Sequence, residues 1–141
     1  MLFIVNPISG KKRKAAIIAY LEKMGCKVVC TEYAGEAEKI AREATESVIV
    51  AVGGDGTVNE VARGIVETDK VLGIIPCGSG DGLALHLGIS RYYKQAVKTI
   101  MNGKKIKIDS GLINGRPFFS VCGTGFDAIV SERFAKSGKR G

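Results

Sequence analysis

The residues in this chain best suited to chemistry are Gly53-Gly54-Asp55-Gly56-Thr57. Glycine at 53, 54 and 56 removes side chains that would hold a ligand off the backbone. A turn of this kind at a helix start aims unpaired N–H groups outward. Those donors and the helix dipole both favour an anion, and a phosphate is the usual occupant. Asp55 is the discordant member. A carboxylate beside bound phosphates repels them unless a cation lies between. Magnesium, which prefers oxygen ligands and keeps several waters, is the natural bridge. Thr57 can either donate its hydroxyl to a phosphate or cap the helix that follows. Gly-Gly-Asp-Gly is equally sound as a turn with no ligand at all, so the flanking elements must decide. A second glycine loop, Cys77-Gly78-Ser79-Gly80-Asp81-Gly82, follows about twenty residues later.

The flanks of the first loop are informative. Val48 to Val52 is an unbroken apolar, β-branched run, as expected of a strand buried on both faces of a parallel sheet. Val58, Val61, Ala62 and Ile65 then recur at helical spacing. The rest of the chain repeats this order. Leu2 to Val5 is a short strand, and Asn6 to Gly10 a loop. Lys12 to Met24 is a helix with Ala15, Ile18, Ala19 and Leu21 inward, stopped by Gly25. Lys27 to Glu32 is a strand. Gly35 to Thr45 is a helix with Ala37, Ile40, Ala41 and Ala44 inward. The helix after the first glycine loop runs to about Glu67, and Val71 to Pro76 is the fourth strand. Leu83 to Leu87 is an apolar segment, and Tyr92 to Met101 a helix with Ala96, Val97 and Ile100 inward. Such alternation implies an α/β fold, an open parallel sheet with helices on both faces. Ligands of these sheets bind beyond the carboxyl ends of the strands. Asn6, Thr31, Gly53 and Cys77 all fall there, so their loops can line one crevice.

The pattern changes after Gly103. Lys105 to Leu112 and Pro117 to Val121 read as two strands joined by a hairpin at Asn114-Gly115. A helical Phe126 to Ala135 follows. One hairpin and one helix make a poor core. The expectation is therefore an α/β domain over residues 1–104 and the cut-off beginning of a β-rich second domain over 105–141. Its unpaired strand edges favour self-association into a homo-oligomer.

Composition narrows the classes. The 141 residues suffice for a folded domain with its own core. No apolar run approaches the ~20 residues of a membrane span, and Met1 to Val5 is too short for a signal peptide. A cytoplasmic location is expected. Net charge is +7, gathered in Lys11-Lys12-Arg13-Lys14, in Lys104-Lys105 with Lys107, and in Lys136 with Lys139-Arg140. Each cluster suits a solvated surface, nucleotide phosphates or an anionic membrane. Nucleic acid is not expected, because no aromatics interleave with the basic runs. Cys26, Cys30, Cys77 and Cys122 form no CxxC pair and read as buried or half-buried free thiols. The lone His86 reads as a packing residue.

The full string GGDGTVNE, between a buried strand and a helix, resembles the nucleotide motif of the diacylglycerol kinase catalytic domain family. That family includes bacterial lipid kinases, sphingosine kinases and ceramide kinases. Four further segments are similar to family motifs and occur in the same order. They are Asn6-Pro7 with Ser9-Gly10; Thr31 with Gly35 and Ala37; Pro76 with Gly78, Ser79, Gly80, Leu83 and Ala84; and Asp109 through Ala128. There is no GxxxxGK[ST] loop. The resemblance implies an ATP-dependent transfer of the γ-phosphoryl group to a lipid hydroxyl at a membrane surface, with the protein peripheral at the inner membrane face. It implies that Asn6, Ser9, Gly10, Thr31, Gly53, Gly54, Asp55, Gly56, Thr57, Glu60, Gly78, Ser79 and Gly80 seat the nucleotide. It further implies that Asp55, Asp109 and Asp81 are the acidic candidates for magnesium. Asp55 is the catalytic candidate, as metal organiser or, as in the sphingosine kinase branch, as base. Family members usually carry Asn at position 81, so the acidic group here is a departure. They also run to about twice this length, which places the base of the bacterial members beyond Gly141. The chain alone is then expected to bind nucleotide without turning over lipid. Two rivals remain. An NAD kinase-like enzyme shares GGDGT, but the NPISG and GSGDGLA segments speak against it. The other is a nucleotide-binding module without catalysis.

Overall fold

The computed structural model describes residues 1–7, 11–119 and 133. The four strands β1 (Leu2–Val5), β2 (Lys27–Cys30), β3 (Val48–Gly53) and β4 (Val71–Pro76) form one parallel sheet in the order β2-β1-β3-β4. The helices are α1 (Lys11–Lys23), α2 (Glu36–Glu43), α3 (Asp55–Ile65), α4 (Gly82–His86) and α5 (Tyr93–Asn102).

Side chains alternate across a strand, and here both sets are apolar. Leu2, Ile4, Ile49, Ala51 and Ile74 face α2, α3 and α4, where Ala37, Ala41, Val58, Val61, Leu83 and Ala84 complete one core. Phe3, Val5, Val50, Val52 and Ile75 face α1 and α5, where Ile17, Leu21, Ala96 and Val97 complete the other. The expected sheet with helices on both faces is the observed one. The strand order adds a consequence. β1 leads outward to β2, whereas β3 leads to β4 on the opposite side. The helices that follow β1 and β3, namely α1 and α3, therefore lie on opposite faces of the sheet, the reversal at which a crevice opens beyond the strand ends of such sheets. The ladder carries the loops along in step: Asn6 N–H donates to Val52 O (3.2 Å), Thr31 N–H to Val5 O (2.9 Å) and Cys77 N–H to Gly53 O (2.8 Å).

Several expectations need correction. In α1 the inward residues are Lys14, Ile17 and Leu21, while Ala15 and Ala19 are exposed. Positions 14, 17, 18 and 21 hold the i, i+3, i+4, i+7 spacing; counting the small alanines as core slid the face by one residue. The strand expected from Lys105 is confined to β5 (Gly111–Ile113), paired with β6 (Arg116–Phe118). Residues 103–110 are irregular and exposed, and the alternating Ile106 and Ile108 find no strand partner among the described residues. The hairpin turn itself is as read: Asn114 and Gly115 have φ of 49° and 74°, the two left-handed positions of a type I′ turn. His86 is exposed rather than packed, and so is Cys30. The expected helix at 126–135, apart from Arg133, lies outside the described residues, as do Cys122, the last basic cluster, Ser9 and Gly10. No helix among the described residues is long and apolar enough to cross a membrane.

Candidate functional site

The first glycine loop ends β3 and opens α3. Gly54 is the N-cap of α3 with extended backbone and no side-chain capping bond. The first N–H groups of α3 are thus orphan donors at the mouth of the crevice. Thr57 does not cap the helix. Its side chain is buried over Gly53, so closely that any Cβ at position 53 would collide with the Thr57 hydroxyl. Gly56 faces open space, with nothing within 4 Å of where a Cβ would stand. Glu60 is half-buried one turn further along α3.

The second glycine loop ends β4 and packs directly on the first. A Cβ on Gly78 would stand 2.7 Å from Gly54 Cα, and one on Gly80 2.8 Å from Asp55 Oδ2. Asp55 joins the two loops, since its Oδ1 accepts the Gly82 N–H at 2.8 Å, at the start of α4. Ser79 and Gly80 are exposed at the rim.

Asp81, another acidic residue expected at the metal, lies inside the second loop. Its backbone is left-handed, with φ 53°. Its carboxylate is almost wholly buried, with Oδ1 accepting the Gly78 N–H at 2.8 Å and Oδ2 facing Arg91 Nε at 3.7 Å. It shapes the loop from inside, and Oδ2 has no hydrogen-bond partner among the described residues. Asp109 is exposed and lines a recess of about 550 Å³ with His86, Leu83, Leu87, Ile108 and Phe119. No cluster of three or more His, Cys, Asp or Glu side chains occurs among the described residues. Magnesium does not require one, because it commonly takes one or two carboxylates together with substrate phosphates and water. Asp55, half-exposed between the two loops, fits that use.

Thr31 sits at the expected strand end but is buried, with its hydroxyl directed at Val5 O (3.5 Å). Its N–H also donates to Val5 O, at 2.9 Å. Asn6 is half-buried beside it.

Three cations stand at this edge: Arg13 and Lys14, from the first basic cluster of the sequence, and Arg91, which belongs to no cluster or motif. Lys14, buried in α1, donates from Nζ to Asn6 O. Arg13 donates to Pro76 O (3.3 Å) and to Arg91 O. Arg91 donates to Ser79 O (3.0 Å) and Gly80 O (2.9 Å). Cys77 registers the field: burial pushes its thiol pKa up, and Arg13 and Lys14 pull the other way. The cluster marks Arg13 and Lys14 in the sequence, and the helical register with Ile17 and Leu21 turns Lys14 inward; Arg91 has no such signal.

Comparison with known proteins agrees with this geometry. The profile of the diacylglycerol kinase catalytic domain matches residues 1–113. The chain is 38% identical over 134 residues to a diacylglycerol kinase of Bacillus subtilis (strain 168), covering 86% of this chain and 44% of that protein. It is 35% identical over 141 residues to a diacylglycerol kinase of Staphylococcus carnosus (strain TM300), covering 91% of this chain and 45% of that one. The fold is similar to the crystal structure of a diacylglycerol kinase from Bacillus anthracis str. Sterne, with a TM-score of 0.74 and 28% identity over 97% of this chain and 52% of that one. The chain thus spans less than half the length of the two curated relatives.

Proposed function

The chain belongs to the diacylglycerol kinase catalytic domain family, and on that premise we propose that it is the nucleotide-binding part of a lipid kinase that transfers the γ-phosphoryl group of ATP to a lipid hydroxyl. The observation that carries this reading is the contact of the two glycine loops with the Asp55 carboxylate between them. Family membership favours it over the NAD kinase-like alternative.

Phosphoryl transfer asks mainly for positioning and charge neutralisation. In this proposal the N–H groups opening α3 and the backbone of Gly78 to Gly80 seat the phosphates. Gly56 lets the nucleotide approach the backbone, and the Ser79 hydroxyl donates from the rim. Asp55 would hold magnesium, which when bound supplies charge neutralisation on the phosphates. Gly82 fixes one carboxylate oxygen of Asp55 and so orients the other. Asp109 remains a second acidic candidate. The hairpin β5–β6 would open a β-rich second layer beyond residue 104. The acceptor would be drawn from a membrane surface, with the exposed Lys104, Lys105 and Lys107 toward anionic headgroups.

Asp55→Asn tests the reading cleanly, because an amide oxygen can keep the Gly82 bond while the charge is lost. The variant should bind a fluorescent ADP at least tenfold more weakly than wild type in magnesium. Without magnesium the variant should bind as tightly as wild type or more tightly, because the charge that repels the phosphates is gone, and their melting temperatures should stay close. Equal affinity in magnesium would remove Asp55 from the site.

A further inference from the structure

We infer that Arg91 is a positioning residue for the phosphate-binding loop, setting the direction of its peptide groups from outside the site. The inference rests on the proposed nucleotide site. Arg91 lies ten residues beyond Asp81, past α4, in a segment that no motif covers. One terminal nitrogen of its guanidinium donates to both Ser79 O and Gly80 O, at 3.0 and 2.9 Å. Its Nε lies 3.7 Å from the buried Asp81 Oδ2.

The consequence follows from peptide geometry. A trans peptide is planar, so the N–H points opposite to the C=O of the same unit. Holding the carbonyls of Ser79 and Gly80 on Arg91 therefore turns the N–H groups of Gly80 and Asp81 to the other side of the loop. Neither N–H donates a hydrogen bond among the described residues. If either peptide flipped, a carbonyl oxygen would replace an N–H on that side, and repulsion would replace attraction for an anion. Glycine at 78 and 80 makes such flips cheap, so the loop needs an external hold. Asp81 supplies one from within by accepting the Gly78 N–H. Arg91 supplies the other.

Arg91 is itself fixed. Its carbonyl accepts from Arg13, which also reaches Pro76 O at the end of β4. The brace thus runs from α1 across the strand ends to the loop. Lysine could replace the charge but is a point donor on a flexible stem. Arginine offers a planar fork that is already organised.

The test compares Arg91→Ala and Arg91→Lys with wild type in the protein expressed from its gene in full. The first readout needs no nucleotide: amide NMR shifts of Gly78, Gly80 and Gly82. The second is the split between KM for ATP and kcat on diacylglycerol micelles, supported by fluorescent ADP affinity. In Arg91→Ala the three glycine amides should move, and KM for ATP should rise about tenfold, the order expected for a lost charge-assisted contact. KM for the lipid should stay within about twofold. Arg91→Lys should recover part of both effects. Unchanged glycine shifts, or shifted amides with an unchanged KM for ATP, overturn the inference. A lowered melting temperature with KM for ATP unchanged assigns Arg91 to stability alone and overturns it too. Wild type that binds no nucleotide overturns the proposed function and this inference with it. Wild type that binds while Arg91→Ala matches it overturns only the inference.

Discussion

Two glycine-to-alanine substitutions should move stability in opposite directions yet both weaken nucleotide binding. Gly78→Ala places a methyl carbon 2.7 Å from Gly54 Cα and 2.8 Å from Asp81 Oδ1. Comfortable carbon–carbon contact begins near ~3.5 Å, so the two loops must part by about 0.8 Å. Neither neighbour can give easily, since Gly54 is the N-cap of α3 and Asp81 is buried. Overpacking of this kind costs about 1–3 kcal/mol, with about 1 kcal/mol more if the Gly78–Asp81 bond loosens. For a chain of this size that is a fall of roughly 3–15 °C in melting temperature. Gly56→Ala meets nothing within 4 Å and sits in the first turn of α3. It should leave stability unchanged or raise it by up to about 1 kcal/mol. The methyl group would nonetheless stand where a phosphate approaches the backbone. Melting curves of both variants, with and without magnesium and ADP, separate the effects. Gly78→Ala should melt below wild type and Gly56→Ala at or above it, with ADP raising the transition of neither variant as much as that of wild type. Gly78→Ala melting at or above wild type would refute the close loop contact. Gly56→Ala binding ADP as tightly as wild type would refute the assignment of the ligand to this turn.

Asp81→Asn should be less destabilised in urea denaturation than Asp81→Ala, because an amide oxygen can keep the Gly78 N–H bond and asparagine tolerates the left-handed backbone, although its amide nitrogen would face Arg91 in place of Oδ2; Asp81→Ala should lose about 2–3 kcal/mol, and equal stability of the two variants would contradict the internal hold. In alkylation followed by peptide mapping, the exposed Cys30 should react before Cys77, whose thiol pKa is raised by burial. Because the folded Cys77 thiol stays neutral, its contribution to stability should be complete below the unfolded thiol pKa and be lost as pH rises through the raised folded value; a Cys77→Ser variant with an unaltered alkaline limb would count against this. Co-sedimentation should show salt-sensitive binding to anionic vesicles that weakens when Lys104, Lys105 and Lys107 become Gln, and equal binding to neutral vesicles would exclude a headgroup role.

Much of the sheet was legible because its strands are buried on both faces. Val48 to Val52 can be nothing but apolar in that setting, and the glycine turns mark where each strand stops. The register of α1 was harder. Alanine is small enough to serve on either face, so Ala15 and Ala19 gave no direction, while a lysine facing inward went against the usual rule that such a charge stays in water. The Lys105 strand failed for a different reason. Alternation of lysine and isoleucine states only that two faces differ. Whether a strand forms depends on a neighbour to share its hydrogen bonds, and that is a tertiary matter.

The glycine loops, Asp55 and the Lys11 to Lys14 cluster all stand out in the sequence, but which atoms the cations meet does not, for a reason that lies in the sheet. The C-terminal ends of parallel strands present carbonyl oxygens, which repel a phosphate. At this edge the oxygens of Asn6, Pro76, Ser79, Gly80 and Arg91 each accept from Lys14, Arg13 or Arg91. The carbonyl dipoles are thereby turned onto cations, and the edge is left with a positive balance and outward N–H groups. A run such as Lys11 to Lys14 looks like one solvated patch in the sequence because its members are adjacent. Helical geometry separates them by about 100° each, so Lys14 goes inward to one strand end while Arg13 reaches across to another. Which carbonyl each cation meets is fixed by the strand order β2-β1-β3-β4, which brings the ends of β1, β3 and β4 side by side. In the proposed site, therefore, the glycine motif marks where an anion would approach, whereas the charges that would favour the approach are assembled only when the sheet closes.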